Sequence, residues 1–117
     1  MTRDAFVRGA LIAVAAGLLV ARRLRSRAAR RRAAALIAAG AAVVDVRSPS
    51  EFAAGSRPGS LNLPLDRLAA ECGRLDREKP VVVCCASGAR SAAAAGILKA
   101  KGFKTVVNAG PWTNTLD

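Results

Sequence analysis

Histidine and tyrosine are absent from the 117 residues, and aromatic character is confined to Trp112 and three phenylalanines. Without histidine the commonest metal ligand and the commonest general base are missing, so any chemistry must run on cysteine, carboxylate, arginine or backbone groups. Readers of single-stranded nucleic acid stack bases on aromatic rings, which are scarce here. The net charge of +11 is therefore not read as nucleic-acid binding. Cys72, Cys84 and Cys85 are an odd number of cysteines with no repeated metal-type spacing, which indicates neither a disulfide framework nor a zinc site. No metal or other cofactor is expected.

Acidic residues are few, eight against nineteen bases, and the imbalance is uneven. Residues 1–32 hold nine of the bases and a single acid, Asp4, for a local charge of +8, whereas residues 33–117 carry only +3. The basicity thus belongs to an N-terminal arm, 1–32, set before a domain of residues 33–117 whose apolar content is ample for one core.

The arm contains the one long apolar run. "AFVRGALIAVAAGLLVA", residues 5–21, is interrupted only by Arg8 and sits at the lower length limit for crossing a bilayer. Behind it "RRLRSRAARRR" places seven arginines in eleven residues, a flank that attracts anionic headgroups. A cleaved signal peptide is one rival, although arginines crowd the stretch where a small-residue cleavage site would fall. An apolar helix packed on the domain is the other. The expectation is a single-span anchor through residues 5–21. Because positive flanks stay inside, Arg22 to Arg32 and the domain would be cytoplasmic, where reducing conditions suit unpaired cysteines.

Beyond the arm, strands and helices alternate. Ala28 to Ala39 reads as a helix stopped by Gly40, and "AAVVDV", 41–46, as a short buried strand. Ser48 or Ser50 caps a helical turn closed by Gly55, and "SRPGSLNLP" is a loop turning at Pro58-Gly59. Residues 65–78 repeat Leu65, Leu68, Cys72 and Leu75 at helical spacing, which makes Cys72 a small core residue. Residues 80–85 form a second strand, Ser91 to Lys101 a helix ended by Gly102, and 103–108 a third strand. Such alternation without tight hairpins implies an α/β domain, its small, mostly parallel sheet covered by helices on both faces.

In open parallel sheets, sites lie beyond the carboxyl ends of the strands. Asp45, Arg47, Cys84 and Cys85 all fall there. From Cys85, "CASGARS" places small residues before a helix, so that backbone N–H groups converge on an anion. Gly88 relieves the turn, Ala86, Ser87 and Ala89 keep the ring narrow, and Arg90 adds a cation before Ser91. A thiolate held there is stabilised, which lowers its pKa and populates the nucleophile. The bland reading of the pair is two inert hydrophobes closing a core strand.

The segment from about Ala33 to Trp112 resembles a single-domain rhodanese, on the strength of three stretches in the family's order. These are the Cys-x-x-Gly-x-Arg-Ser loop (Cys85, Gly88, Arg90, Ser91), "DVRSPSEFAAG" (Asp45, Arg47, Glu51, Phe52, Gly55) and "PGSLNLP" (Pro58, Gly59, Asn62, Pro64). Ser56 and Arg57 stand where the family commonly has a histidine and an aliphatic residue, and Cys84 where an aromatic residue is frequent. The resemblance implies a rhodanese-like fold and a sulfurtransferase that carries sulfur as a Cys85 persulfide, moving it from a small anionic donor such as thiosulfate to a thiol or cyanide. It also implies that residues 86–91 hold the donor and that Asp45 and Arg47 support the loop. Two alternatives remain. Cys84 to Arg90 is Cys-x5-Arg, the spacing of phosphatases and arsenate reductases, though no histidine supplies a general acid. A non-catalytic rhodanese-like binding module is the other.

Overall fold

The computed structural model describes residues 2–116, and every structural statement below concerns those residues. Helix α1 runs unbroken from Arg3 to Ala38, across the arm–domain boundary expected at residue 32. The Thr2 side chain accepts from the Ala5 N–H at its start, with Asp4 in the first turn, where a carboxylate complements the helix dipole. At its end the Gly40 N–H bonds the Ile37 carbonyl and the Ala41 N–H that of Leu36, a termination that needs the positive φ of +95° at Gly40. Only the last turns of α1 pack on the domain. Ala33 is buried, with Leu36 and Ile37 against it. The apolar residues before it are exposed, Ile12 by 71% and Leu18 by 63%. The helix is long and apolar enough to cross a membrane by length and composition, and its apolar turns do not lie packed against the domain.

The sheet has four parallel strands in the order β2-β1-β3-β4: β1 Ala42–Asp45, β2 Leu61–Asn62, β3 Val81–Cys85 and β4 Val106–Pro111. Helix α2 (Pro49–Ala54) follows β1, α3 (Leu65–Glu71) follows β2, and α4 (Ala89–Ala100) joins β3 to β4. All five residues of β3 are buried, as a central parallel strand covered on both faces requires. One core holds Val44, Val46, Leu63, Leu68, Cys72, Val81, Val83, Cys85, Ala94 and Leu98. The other lies under α1 and holds Ala33, Val43, Val82, Cys84, Val107 and Ala109, with Trp112 packed against it. Truncating a fully buried leucine such as Leu68 or Leu98 costs about 2–5 kcal/mol.

Several boundaries differ from expectation. Leu61–Asn62, read as loop, pairs with Val44 and Asp45 as an edge strand, too short to leave an alternating pattern. Helix α3 stops at Glu71 and continues only as a 3-10 turn over Cys72–Arg74, while Cys72 is core, 2% exposed. The last strand begins three residues later than the β-branched run implied. The Gly102 N–H bonds the Lys99 carbonyl and the Phe103 N–H that of Leu98, a cap that consumes Phe103 and buries its ring. Strand β4 then continues to Pro111, with a register shift opposite Val83/Cys84 that leaves Ala109 as an extra residue, a β-bulge.

Candidate active site

Strands β1 and β3 end side by side, Asp45 paired with Cys84, which brings the residues at their carboxyl ends to one edge of the sheet. The two cysteines diverge there because successive strand residues point to opposite faces. Cys84 enters the core under α1, and Cys85 the core beneath α3 and α4.

The Cys85 side chain lies inside the turn that its own loop makes. The Gly88 N–H donates to its Sγ at 2.9 Å, and the Ser91 Oγ is 3.4 Å away. Gly88 caps α4 with a φ of +107°, and a Cβ there would meet the Gly110 Cα at 3.4 Å, so glycine serves both the turn and the approach of β4. Burial pushes the Cys85 thiol up, but the Ser91 hydroxyl and the N–H groups of Ser91, Gly88 and Ser87 favour the thiolate, and the net pKa is lowered. Cys84 is the opposite case. Burial, then the charge of Asp45, push its thiol up to about 12.

Ser91 is in turn held by a residue the sequence analysis left without a role. The Ser91 hydroxyl lies 2.7 Å from Asn108 Oδ1, which also accepts from the Gly110 N–H at 2.8 Å. Asn108 shares the α4 face of β4 with Val106, two residues before it, and packing sets Ser91 of α4 against it. A polar residue closing a buried strand is the signal that pointed there.

Arg90 is held first by Glu51, and the charge of Cys85 also acts on it. It forms a two-pronged ion pair with Glu51 of α2, at 2.6 and 2.9 Å. Glu51 also completes a capping box with Ser48, and the Arg90 hydrogen bonds followed by those of Ser48 lower its pKa to about 2. Arg90 therefore clamps the cysteine loop to α2. Ala86, Ser87 and Ala89 are exposed on the rim of that loop, and Ser91 is buried beneath it.

Asp45 and Arg47 form a buried pair, with the Arg47 Nε 2.9 Å from one carboxylate oxygen and an Nη 2.7 Å from the other. That Nη also donates to the Gly55 carbonyl at 2.7 Å, and the guanidinium stacks 4.9 Å from the Trp112 ring centroid. The hydrogen bonds that Arg47 donates to Asp45 outweigh burial and raise the Arg47 pKa. Asn62 ties the same corner by donating to the Asp45 and Arg47 carbonyls, and Arg57 reaches the Thr115 carbonyl. The pair thus braces the end of β1, α2 and the C-terminal turn. Its side chains bond each other, the Gly55 carbonyl and the Trp112 ring, and the Asp45 charge also acts on Arg90 of the loop. Among the described residues no three cysteines or carboxylates converge as metal ligands would.

A parallel sheet with a cysteine at a strand end, its thiol inside a tight loop before a helix, defines the class of cysteine-loop α/β domains. Residues 29–110 match the rhodanese-like domain profile, and the chain belongs to that family. It is 36% identical over 66 residues to a sulfurtransferase of Allochromatium vinosum, covering 56% of this chain and 62% of that one. It is 39% identical over 67 residues to the thiosulfate sulfurtransferase GlpE of Pseudomonas syringae, covering 57% and 63%. These alignments span less than two thirds of the relatives' own length. Among solved structures, the human single-domain sulfurtransferase TSTD1 superposes with a TM-score of 0.61 at 31% identity, over 70% of this chain and 87% of that one. The fold is the rhodanese-like one expected, a small parallel sheet between helices preceded by a long apolar helix.

Proposed function

We propose that this protein is a sulfurtransferase that carries sulfane sulfur on Cys85. The observation that carries the reading is the Cys85 thiol held inside its loop by the Gly88 N–H and beside Ser91, with a lowered pKa. The Cys85 thiolate attacks the outer sulfur of thiosulfate or a similar anionic donor. The sulfur–sulfur bond of the donor breaks and sulfite leaves with the bonding pair. The loop N–H groups that stabilise the thiolate also suit the persulfide anion that replaces it. An acceptor thiolate or cyanide then attacks the outer persulfide sulfur, and Cys85 departs as thiolate. Residues 86–91 supply the ring around the reacting sulfur, with Arg90 acting through Glu51 to hold it closed, while Asp45 and Arg47 brace the strand end beside it.

The phosphatase register is less well supported. Cys84 faces the other core with its thiol pushed up to about 12, and Arg90, the arginine of that spacing, is engaged by Glu51. The test is mass spectrometry of the protein after thiosulfate. One added sulfur on the Cys85 peptide, with thiocyanate formed on adding cyanide, is expected. A folded protein that acquires no sulfur from thiosulfate or other sulfane donors would leave a non-catalytic binding module as the better reading.

The arm belongs to the same proposal as a single-span anchor, residues 5–21 in the bilayer and residues 33–117 as the domain on the cytoplasmic side. Its support is the exposure of the apolar turns of α1 and the arginines behind them. Retention of the full chain in membranes after high salt, with Cys85 unlabelled by an impermeant thiol reagent on intact cells, is expected. Recovery in the soluble fraction would remove the anchor.

A further inference from the structure

The arginines of α1 do not all face one way. Arg22, Arg25, Ser26 and Ala29 follow the spacing of a single helix face, continuous with the buried Ala33, and that face turns toward the cysteine loop. Together with Ser87, Gly88, Asn108 and Gly110 they line a cleft of about 540 Å3. Ser87 and Gly88 are two of the residues whose N–H groups stabilise the Cys85 thiolate. The arm is thus one wall of a cleft whose other wall is Ser87 and Gly88 of the cysteine loop together with the end of β4. Arg22 and Arg25 precede residues 29–110, which carry the family match.

Among the cations near the cysteine loop, charge balance sets these two apart from Arg90 and Arg47. The loop's own cation, Arg90, is neutralised by Glu51 at 2.6 Å, and Asp45 neutralises Arg47. Arg22 and Arg25 are exposed, and among the described residues no carboxylate pairs with either. A cleft lined with cations beside low-dielectric walls concentrates anions, and a guanidinium offers a planar fork of donors to the oxygens of a sulfonate, carboxylate or phosphate.

We propose that Arg22 and Arg25 form an anion-binding rim beside Ser87 and Gly88 of the cysteine loop, raising the local concentration of a soluble anionic sulfur donor around Cys85. The proposal rests on the sulfurtransferase reading for the identity of the ligand, and on the cleft alone for its charge selectivity. The arm is then part of the site as well as a tether, and a lipid headgroup is the competing occupant.

The experiment uses the full chain in neutral detergent at low ionic strength, where exposed charges are least screened. It compares the wild type, Arg22→Gln/Arg25→Gln, and a control, Arg23→Gln/Arg27→Gln, which removes the same charge from residues that do not line the cleft. Cys85 is alkylated with iodoacetate, an anion, and with iodoacetamide, its neutral counterpart, and the modified peptide is quantified. The ratio of the two rates should fall about three- to tenfold in the Arg22/Arg25 variant, as expected for two charges near the path of a small anion, and stay unchanged in the control. The KM for thiosulfate should rise by a similar factor. An equal ratio in all three proteins, or an equal fall in the control, overturns the proposal. A shift present in anionic bilayers and absent in neutral micelles assigns the two arginines to headgroups and also overturns it. A shifted ratio in a protein that transfers no sulfur supports the rim and removes the sulfurtransferase reading instead.

Discussion

Cys84 and Cys85 are neighbours in β3, yet their side chains lie in different cores, Cys84 under α1 with Val43 and Val107, Cys85 beneath α4 with Val44 and Leu63. The alternation of a strand separates them. Only Cys85 meets the Gly88 N–H and the Ser91 hydroxyl, and the two thiols are shifted in opposite directions.

Replacing Cys85 by serine should abolish persulfide formation and thiocyanate production. Cys84→Ala should keep most of the activity and lose about 1–2 kcal/mol of stability through the small cavity it leaves. Activity assays and urea unfolding of the two variants check this. A dead Cys84→Ala protein that still folds would move the nucleophile to Cys84.

The pH dependence of thiol alkylation separates the two cysteines further. Cys85 should react with a midpoint below 9.0, the ordinary cysteine value, and Cys84 should stay unmodified in the native protein, its thiol pushed up to about 12. Because the native Cys85 pKa is depressed, its contribution to stability is full above the unfolded value and is lost as pH falls through the native one. Ser91→Ala should move the Cys85 midpoint upward. Asn108→Ala, which frees the Ser91 hydroxyl from its 2.7 Å partner, should alter the same midpoint while leaving Cys85 in place.

The Arg90–Glu51 clamp should persist far into acid. With the Glu51 pKa lowered to about 2, its contribution is full above the ordinary carboxylate range and disappears as pH falls through about 2. Carboxylate NMR of Glu51 measures this directly. Glu51→Gln and Arg90→Gln should each slow sulfur transfer, and the double variant should be no slower than the worse single one, since either change releases the loop from α2.

Asp45→Ala leaves the guanidinium of Arg47, 5% exposed, without its counter-charge, and breaking a buried pair from one side costs about 3–5 kcal/mol. The combined Asp45→Leu/Arg47→Met variant should be more stable than Asp45→Ala alone. Chemical denaturation of the three proteins reads the difference.

The amino-acid sequence alone determined the elements whose signal is local. Valine runs specified β1 and β3, whose residues alternate between two cores, and the spacing of Leu65 and Leu68 marked the inward face of α3, with Cys72 a core residue just after it. The small residues after Cys85, with Gly88 at the turn, foretold a loop able to hold an anion, because backbone sterics and N–H direction are set within a few residues. Only the tertiary structure decided what reaches across elements. The packing of α4 on β4 sets Asn108 against Ser91, and Leu61–Asn62 becomes a strand only because β1 lies beside it. Arg90 spends its charge on Glu51, thirty-nine residues away. Arg22 and Arg25 join the cleft because α1 continues straight through residue 32. Partners chosen by packing leave no period in a sequence, since their spacing depends on where the chain returns.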